Sequence, residues 1–176
     1  LAVSNYTRNK VVNNYGVPPE KVEVVHNAIE FKDGPSYKIE SKDKIILFLG
    51  RITLQKGPEY FLAAAKKVLE RDPHVKFIVA GSGDMEARMI ELAAELGIAN
   101  KVLFAGFLRG EDIRKAYSMA DVYVMPSVSE PFGLTPLESM KVGTPVIISK
   151  QSGVSEVVNH ALKVEFWDID DMAAKM

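Results

Sequence analysis

Two glutamates, Glu130 and Glu138, stand eight positions apart in the segment 126–145, with seven residues between them. Their type and spacing suggest a ligand site. The intervening residues contain two prolines and Gly133, so they cannot be helical throughout, and the glycine allows a positive φ or a close backbone approach to a ligand. An apolar run at 122–125 predicts a buried strand before this loop. Loops at the carboxyl ends of strands hold the ligands of open α/β sheets.

The loop leads into a predicted helix that begins with Thr135 as N-cap and Pro136 at the first helical position. Free N–H groups and the helix dipole favour an anion there, typically a phosphate. Glu138 has two possible roles at this level. It could close a capping box with Thr135, which requires no ligand, or it could bind one.

Two cations, Arg51 and Lys56, share the loop after the first predicted strand, each beside a glycine. Such a pair suits a diphosphate, because arginine can clamp oxygens bidentately and lysine adds a mobile point charge. The alternative is that both are solvated loop charges, which is the commoner situation for these residue types.

Two further loops follow predicted strands. Gly81-Ser82-Gly83-Asp84 starts like a dinucleotide-binding motif, but the pattern breaks at Arg88 and follows the second strand instead of the first. Asp84 as a helix N-cap after a glycine turn is the simpler interpretation. The loop at 106–110 is apolar and flanked by glycines, so it could receive a flat base, although Phe107 could equally belong to the core.

The elements that must position these loops follow a regular order. Short runs that are apolar throughout alternate with amphipathic helical patterns, which predicts an α/β fold with a Rossmann-like, doubly wound parallel sheet. Right-handed crossovers then bring every strand's carboxyl end to one edge of the sheet. The predicted strands are 45–49, 75–80, 102–105, 122–125, 146–148 and a shorter one near 163–166.

The amino-terminal part of the chain differs from this pattern. Ser4 is a candidate cap for a helix over about 7–15, a strand-like run covers 22–25, and residues 27–43 are polar and rich in turn formers. We therefore expect residues 1–30 to be the tail of a preceding domain with its hinge, 31–43 to be a linker, and 44–176 to be the main domain.

Composition excludes several classes of function. The 176 residues are 47% apolar and carry a net charge of −1, which gives no global attraction to nucleic acid or to anionic membranes. The absence of cysteine favours a reducing compartment, so we expect a cytoplasmic protein without a targeting segment or membrane span. The histidines, His26, His74 and His160, match no metal-ligand spacing, and we predict no metal site.

Taken together, the motifs resemble the group-1 family of retaining glycosyltransferases with the GT-B fold, which includes glycogen and sucrose synthases and many mannosyltransferases. The similarity covers about residues 44–168, and the motif with two glutamates looks like the family's E-x7-E motif. The matching segments are Gly50-Arg51, Lys56-Gly57, Ala80-Gly81-Ser82-Gly83, Val102-x-Phe104-x-Gly106, Ala120-Asp121 and Glu130-Pro131-Phe132-Gly133-Leu134 followed by Glu138. Two segments depart from the family pattern: His26 and Ala28 replace the more usual Pro and Gly, and Ser152-Gly153 stands where many members carry Gly-Gly.

The resemblance implies two Rossmann-like domains facing across a cleft, of which this chain is similar to the second, donor-binding one. It implies that the catalytic residues are Arg51, Lys56 and Glu130. Arg51 and Lys56 would hold the donor diphosphate, and Glu130 would face the hydroxyls of the donor sugar. Glu138, a donor-binding residue, would accept hydrogen bonds from the ribose. Its remaining donor-binding residues are Gly50, Phe107 and Leu108 on the nucleotide side and the backbone N–H groups of Phe132, Gly133, Leu134 and Thr135.

The partners follow from the same resemblance. The donor would be a UDP-, ADP- or GDP-sugar, with no further cofactor required. The acceptor domain would precede this chain, and any association with a membrane surface would run through that domain. We expect the isolated chain to bind a nucleotide but to transfer little or no sugar.

Three other functions were weighed against this one. A sugar-nucleotide epimerase shares the two-domain architecture, but the E-x7-E spacing argues against it. A non-catalytic nucleotide-binding module remains open. An NAD-dependent dehydrogenase is the least favoured, because the first strand–helix turn carries cations where a glycine-rich fingerprint would be needed.

Overall fold

The structure is a computed structural model that describes residues 1–30, residue 37 and residues 41–176. Most of the predicted linker at 31–43 therefore lies outside the described residues. Among the described helices, none has both the length and the apolar content needed to cross a bilayer.

The centre of the fold is a sheet in which the described part of the chain contributes six parallel strands, in the order β3-β2-β1-β4-β5-β6. This order confirms the doubly wound, Rossmann-like class. It reverses between β1 and β4, and ligands of such sheets bind in the crevice at that switch point. The strands are β1 (Lys44–Leu49), β2 (Val75–Ala80), β3 (Val102–Gly106), β4 (Val122–Met125), β5 (Val146–Ser149) and β6 (Leu162–Val164).

The described residues form six α-helices beside these strands: α1 (Asn5–Tyr15), α2 (Pro58–Arg71), α3 (Glu86–Glu95), α4 (Glu111–Met119), α5 (Thr135–Lys141) and α6 (Ile169–Lys175). Short 3-10 turns lie at Pro19–Lys21, Leu54–Lys56, Ala99–Lys101 and Gly153–Glu156. The sheet is covered on both faces. Ile46 and Phe48 of β1 pack toward α2, α3 and α6, whereas Leu47 packs toward α4 and α5. Burial on both faces is why the strands are apolar at successive positions.

The amino-terminal segment lies against the loops that follow β4 and β5. Ser4 caps α1, as predicted, by accepting a hydrogen bond from the Thr7 N–H. The strand-like run at 22–25 forms an isolated bridge between Val24 and Ala2 in place of a strand. The assignment of residues 1–30 to a preceding domain stays a prediction.

Candidate functional site

The loops that follow β1 and β4 meet at the switch point of the sheet. The Gln55 carbonyl accepts the Val128 N–H at 2.9 Å, and the Gln55 side-chain amide donates to the Ser129 carbonyl at 2.8 Å. Gly57 makes this approach possible: its φ is +65°, and a Cβ there would lie 2.4 Å from the Pro126 carbonyl oxygen. The two loops therefore form one polar surface.

Lys56 and Glu130 form an ion pair across these loops. Only 21% of the Lys56 side chain and 9% of the Glu130 side chain are exposed, so the pair is largely shielded from solvent. An ammonium group has three hydrogen-bond donors. Lys56 can therefore donate to the Glu130 carboxylate and still donate to an anionic ligand. The structure thus brings together one predicted cation and one predicted carboxylate that are 74 residues apart in the chain.

The backbone of Glu130 is fixed by the loop after β5. Its N–H donates to the Gln151 carbonyl, and its own carbonyl accepts the Gly153 N–H, both at 3.0 Å. Two residues later, the Phe132 carbonyl accepts the Val154 N–H at 2.7 Å. Gly133 then turns with a φ of +96°, and a Cβ there would lie 3.1 Å from Cγ of Glu130. The predicted positive φ at Gly133 is therefore confirmed, and this backbone angle is the reason that the position favours glycine.

The predicted N-cap at Thr135 is wrong. Helix α5 begins at Thr135 itself, with Leu134 in the cap position, so Thr135 and Glu138 form no capping box. The Thr135 hydroxyl instead accepts a hydrogen bond at 2.8 Å from the hydroxyl of Tyr123, which is buried on β4. The Tyr123 hydroxyl also lies 3.1 Å from the Leu49 carbonyl, so the Thr135 hydroxyl belongs to a hydrogen-bond network with β1 and β4 instead of a helix cap.

Glu138 is half-buried and receives the Tyr117 hydroxyl at Oε2, at 3.3 Å. Burial, aided by Tyr123 and Glu138, raises the pKa of Tyr117 well above its usual value, so this hydroxyl stays a donor. Glu138 borders a cavity of about 150 Å³ between α4 and α5. That cavity is lined by Gly110, Ile113, Arg114, Tyr117, Glu138, Lys141 and Val142.

A second cavity, of about 180 Å³, lies at the carboxyl ends of β1 and β2. It brings together four predicted site residues, Gly50, Arg51, Phe107 and Leu108, and it adjoins the first cavity because Ile113 lines both. Phe107 is 65% exposed, which contradicts the alternative that it belongs to the core. The Arg51 guanidinium is exposed and donates to Oε1 of Gln55 at 3.3 Å.

Sequence reasoning missed the role of Gly81 and Gly83. A Cβ on Gly81 would lie 1.8 Å from the Gly50 carbonyl oxygen, and one on Gly83 would lie 2.2 Å from that of Ile52. These glycines therefore let the loop after β2 support the backbone on both sides of Arg51. Their spacing directly after a strand was the available signal.

The predicted N-cap at Asp84 is also wrong, because α3 begins at Glu86 with Met85 in the cap position. The Met85 N–H instead donates to the Ile52 carbonyl at 3.1 Å. In the described part of the chain, no group of three or more His, Asp or Glu side chains is placed to hold a metal ion.

Comparison with known proteins assigns this chain to a family. The family model described as "Glycosyl transferases group 1" matches residues 30–176. An uncharacterized glycosyltransferase of Methanocaldococcus jannaschii is 40% identical over 173 residues, which cover 91% of this chain and 44% of the relative. A D-inositol 3-phosphate glycosyltransferase of Acidothermus cellulolyticus is 33% identical over 177 residues, which cover 90% of this chain and 40% of the relative. The chain thus spans about two fifths of these curated relatives.

Solved structures show the same fold at lower identity. Anabaena HepE, crystallised with UDP and glucose, superposes with a TM-score of 0.82 at 22% identity, covering 99% of this chain and 52% of its own. Staphylococcus aureus TarM, crystallised as a mutant with UDP among its ligands, superposes with a TM-score of 0.83 at 20% identity. The match covers 99% of this chain and 35% of TarM. Because the family model matches most of the sequence, the chain belongs to the group 1 glycosyltransferase family.

Proposed function

We propose that this chain is the donor-binding domain of a retaining glycosyltransferase, which transfers a hexose from a nucleoside-diphosphate sugar to an acceptor glycan or small molecule. The observation that carries the proposal is the Lys56–Glu130 pair at the switch point of the sheet. The loop after β1 contributes Arg51 to the lining of one cavity, and α5, which follows the loop after β4, contributes Glu138 to the lining of another. Residues 44–176 form this domain in our proposal. Residues 1–30 are the tail of a preceding acceptor domain and its hinge, and 31–43 are the linker.

In this proposal, Arg51 and Lys56 hold the diphosphate of the donor. Breaking the bond between the anomeric carbon and the phosphate oxygen leaves negative charge on the diphosphate. Cations at that place stabilise the charge as it develops, which in other enzymes is done by a metal ion. Arg51 is exposed and only loosely held, which suits a group that closes onto an incoming ligand.

The nucleoside occupies the two adjoining cavities. The base lies at Gly50, Phe107 and Leu108, and the ribose hydroxyls donate to Glu138. A carboxylate offers paired acceptors, which suit vicinal hydroxyls. The Tyr117 hydroxyl bonds to one oxygen of Glu138, so the carboxylate keeps further acceptor sites for the ribose.

The sugar lies at the loop between the two glutamates. Glu130 accepts hydrogen bonds from its hydroxyls, and the N–H groups of Phe132, Gly133, Leu134 and Thr135 hold sugar and phosphate oxygens. Because Glu130 is paired with Lys56, we assign it to substrate binding and charge placement, and we assign no enzyme nucleophile.

The base of the donor is proposed from the neighbours. HepE and TarM were crystallised with UDP, which favours a UDP-sugar over the ADP- and GDP-sugars that the sequence leaves open. The acceptor is not assigned, because the chain spans about two fifths of its curated relatives and the acceptor domain would lie outside it.

Calorimetric titration of this chain with UDP, ADP and GDP, and with their hexose derivatives, tests the proposal. We expect one diphosphate to bind preferentially. Arg51→Ala should weaken its binding by about 1.5–3 kcal/mol, the scale of a charge-assisted hydrogen bond. Arg88→Ala is the matched control, because Arg88 lies on α3 and pairs there with Glu91 and Glu95. If Arg51→Ala and Arg88→Ala bind the preferred diphosphate with equal affinity, the assignment of Arg51 to a diphosphate site is rejected.

A transfer assay separates an enzyme domain from a binding module. A longer chain that includes the preceding domain should transfer sugar, whereas the chain described here should transfer little or none. Transfer by this chain at a comparable rate would contradict the two-domain proposal. Nucleotide binding without transfer by the longer chain would favour a non-catalytic module.

A further inference from the structure

Helix α1 contacts the loop after β4 at the residue immediately before Glu130. The Tyr6 hydroxyl and the Lys10 ammonium group both donate to the hydroxyl of Ser129, at 3.1 and 2.9 Å. Tyr6 and Lys10 are one helical turn apart, and the Lys10 nitrogen lies 4.5 Å from the centre of the Tyr6 ring. The two side chains therefore act as one unit on the residue that precedes the carboxylate.

The same helix contacts the loop immediately after Glu130. The Ser4 hydroxyl donates to the Pro131 carbonyl at 2.6 Å, and the Thr7 hydroxyl donates to the same oxygen at 3.1 Å. Ser4 is fully buried and also caps α1. The start of the helix and the Pro131 carbonyl are thus held together by one buried side chain.

The start of α1 is fixed to the main domain by Glu156. This carboxylate accepts the backbone N–H groups of Asn5 and Tyr6, at 2.9 and 2.7 Å, and lies 3.2 Å from Nε2 of His26. Burial opposes its ionisation, but these hydrogen bonds outweigh it and lower the pKa of Glu156 below its ordinary value. The negatively charged Glu156 carboxylate therefore stabilises the amino-terminal, positive end of the α1 dipole.

Gly153 explains how the segments come so close. A Cβ there would lie 2.3 Å from the Pro131 carbonyl oxygen and 2.5 Å from Cβ of Ser4. This glycine is the second residue of the Ser152-Gly153 pair, which departs from the family pattern only at its first position. The retained glycine is the one that the contact with α1 requires.

The character of α1 points to positioning. None of its residues is buried, so it adds little to the hydrophobic core. Its hydrogen bonds to the main domain come from polar side chains and backbone groups of residues 4–10. Several of the acceptors belong to Ser129 and Pro131, the residues that flank Glu130. The match to the family model begins at residue 30, beyond this helix.

We propose that α1 is a positioning element for Glu130, in which Ser4, Tyr6 and Lys10 hold the residues on either side of this carboxylate and so set how it meets the donor sugar. The inference rests on the proposed function, because it assumes that Glu130 faces the sugar. A helix that only stabilised the fold would affect all ligands alike. A positioning helix affects the sugar contact and leaves the contacts of Arg51 and Glu138 with the nucleoside diphosphate unchanged.

The test compares a nucleoside diphosphate with its hexose derivative, beginning with UDP and UDP-glucose and extending to the ADP and GDP pairs. The variant is Tyr6→Phe with Lys10→Met, which removes both donors to Ser129 from exposed or half-exposed positions. The control is Tyr15→Phe with Lys21→Met, which changes the same residue types at exposed positions of the same segment. We expect the affinity for the sugar nucleotide, relative to the diphosphate, to fall about 3- to 10-fold in the variant only, as lost hydrogen bonds would predict.

Each outcome has a defined meaning. If the variant folds and the ratio of the two affinities is unchanged, the inference is overturned. This holds whether both affinities stay the same or both fall by the same factor. A wild-type chain that binds no nucleotide, alone or with the preceding domain, would instead overturn the proposed function. Lys10→Met alone provides a second variant should the double variant unfold, because it removes only the exposed donor and should give a smaller shift of the same sign.

Discussion

Replacing Lys56 with methionine leaves the Glu130 carboxylate buried without its cation. Removing one partner of a buried ion pair costs about 3–5 kcal/mol. Because 21% of the Lys56 side chain and 9% of the Glu130 side chain remain exposed, solvent relieves part of this cost. We therefore expect the free energy of unfolding to fall by about 2–3 kcal/mol, or a Tm lower by roughly 5–10 °C in a domain of this size.

Urea unfolding monitored by circular dichroism measures this difference at pH 7. The matched control is Lys44→Met, because Lys44 pairs with Asp121 at the opposite edge of the sheet with 70% and 42% of the two side chains exposed. An exposed pair contributes about 0–1 kcal/mol. Asp121 also keeps its hydrogen bond from the Ile45 N–H at 2.8 Å, so the control variant leaves no unpaired carboxylate.

The double variant Lys56→Met with Glu130→Gln completes the cycle. Removing both charges should recover more than half of the stability that Lys56→Met loses, because no buried charge is left unpaired. A loss for Lys56→Met no larger than that for Lys44→Met would refute the reasoning. A double variant less stable than Lys56→Met alone would refute it as well.

Three further predictions concern the supports of the site. Gly81→Ala should cost more than about 3 kcal/mol or prevent folding, because its Cβ would overlap the Gly50 carbonyl at a φ of +134°. Gly97→Ala, with a φ of +71° and no described heavy atom within 4 Å of the new Cβ, should cost only about 1 kcal/mol, and equal losses in urea unfolding would contradict this account. Tyr117→Phe should lower the free energy of unfolding by about 0.5–1.5 kcal/mol and weaken nucleoside binding, since Glu138 loses its donor; a titration with uridine that shows unchanged affinity would count against the assigned contact. Glu156→Gln should reduce stability at pH 7 and much less in acid: because the folded pKa of Glu156 lies below its ordinary 4.5, its stabilisation is present above that pH and is lost as the pH falls through the folded value. A difference between wild type and Glu156→Gln that is the same at pH 7 and pH 3 would argue against this linkage.

The sequence predicted the sheet well because its signal is strong. Runs that are apolar at successive positions must be buried on both faces, and in a single α/β domain only strands in a covered parallel sheet satisfy that requirement. The bounds of β2 and β4 are those predicted, and those of β1, β3 and β5 differ by one residue. The loop residues 50–56 and 126–138 were found from residue type, because cations, glycines and carboxylates after strands carry a chemical signal.

Local rules failed where a distant group competed for the same atom. Thr135 and Asp84 both look like N-caps in the sequence. In the structure the Tyr123 hydroxyl bonds to Thr135, and the Met85 N–H, just before α3, donates to the distant Ile52 carbonyl. Phe107 is apolar, and only the tertiary structure shows that it lies exposed beside a cavity. Neither outcome follows from neighbouring residues in the chain.

The sequence by itself determined the fold class, the edge of the sheet that carries the loops, and the family. The tertiary structure decided which residues meet. It paired Lys56 with Glu130, placed Gly81 against Gly50, and brought Ser4 to Pro131 across 127 positions of the chain. The physical reason is that hydrophobic periodicity is a local pattern that each segment carries alone, whereas an ion pair or a close backbone contact depends on how distant segments come together in space.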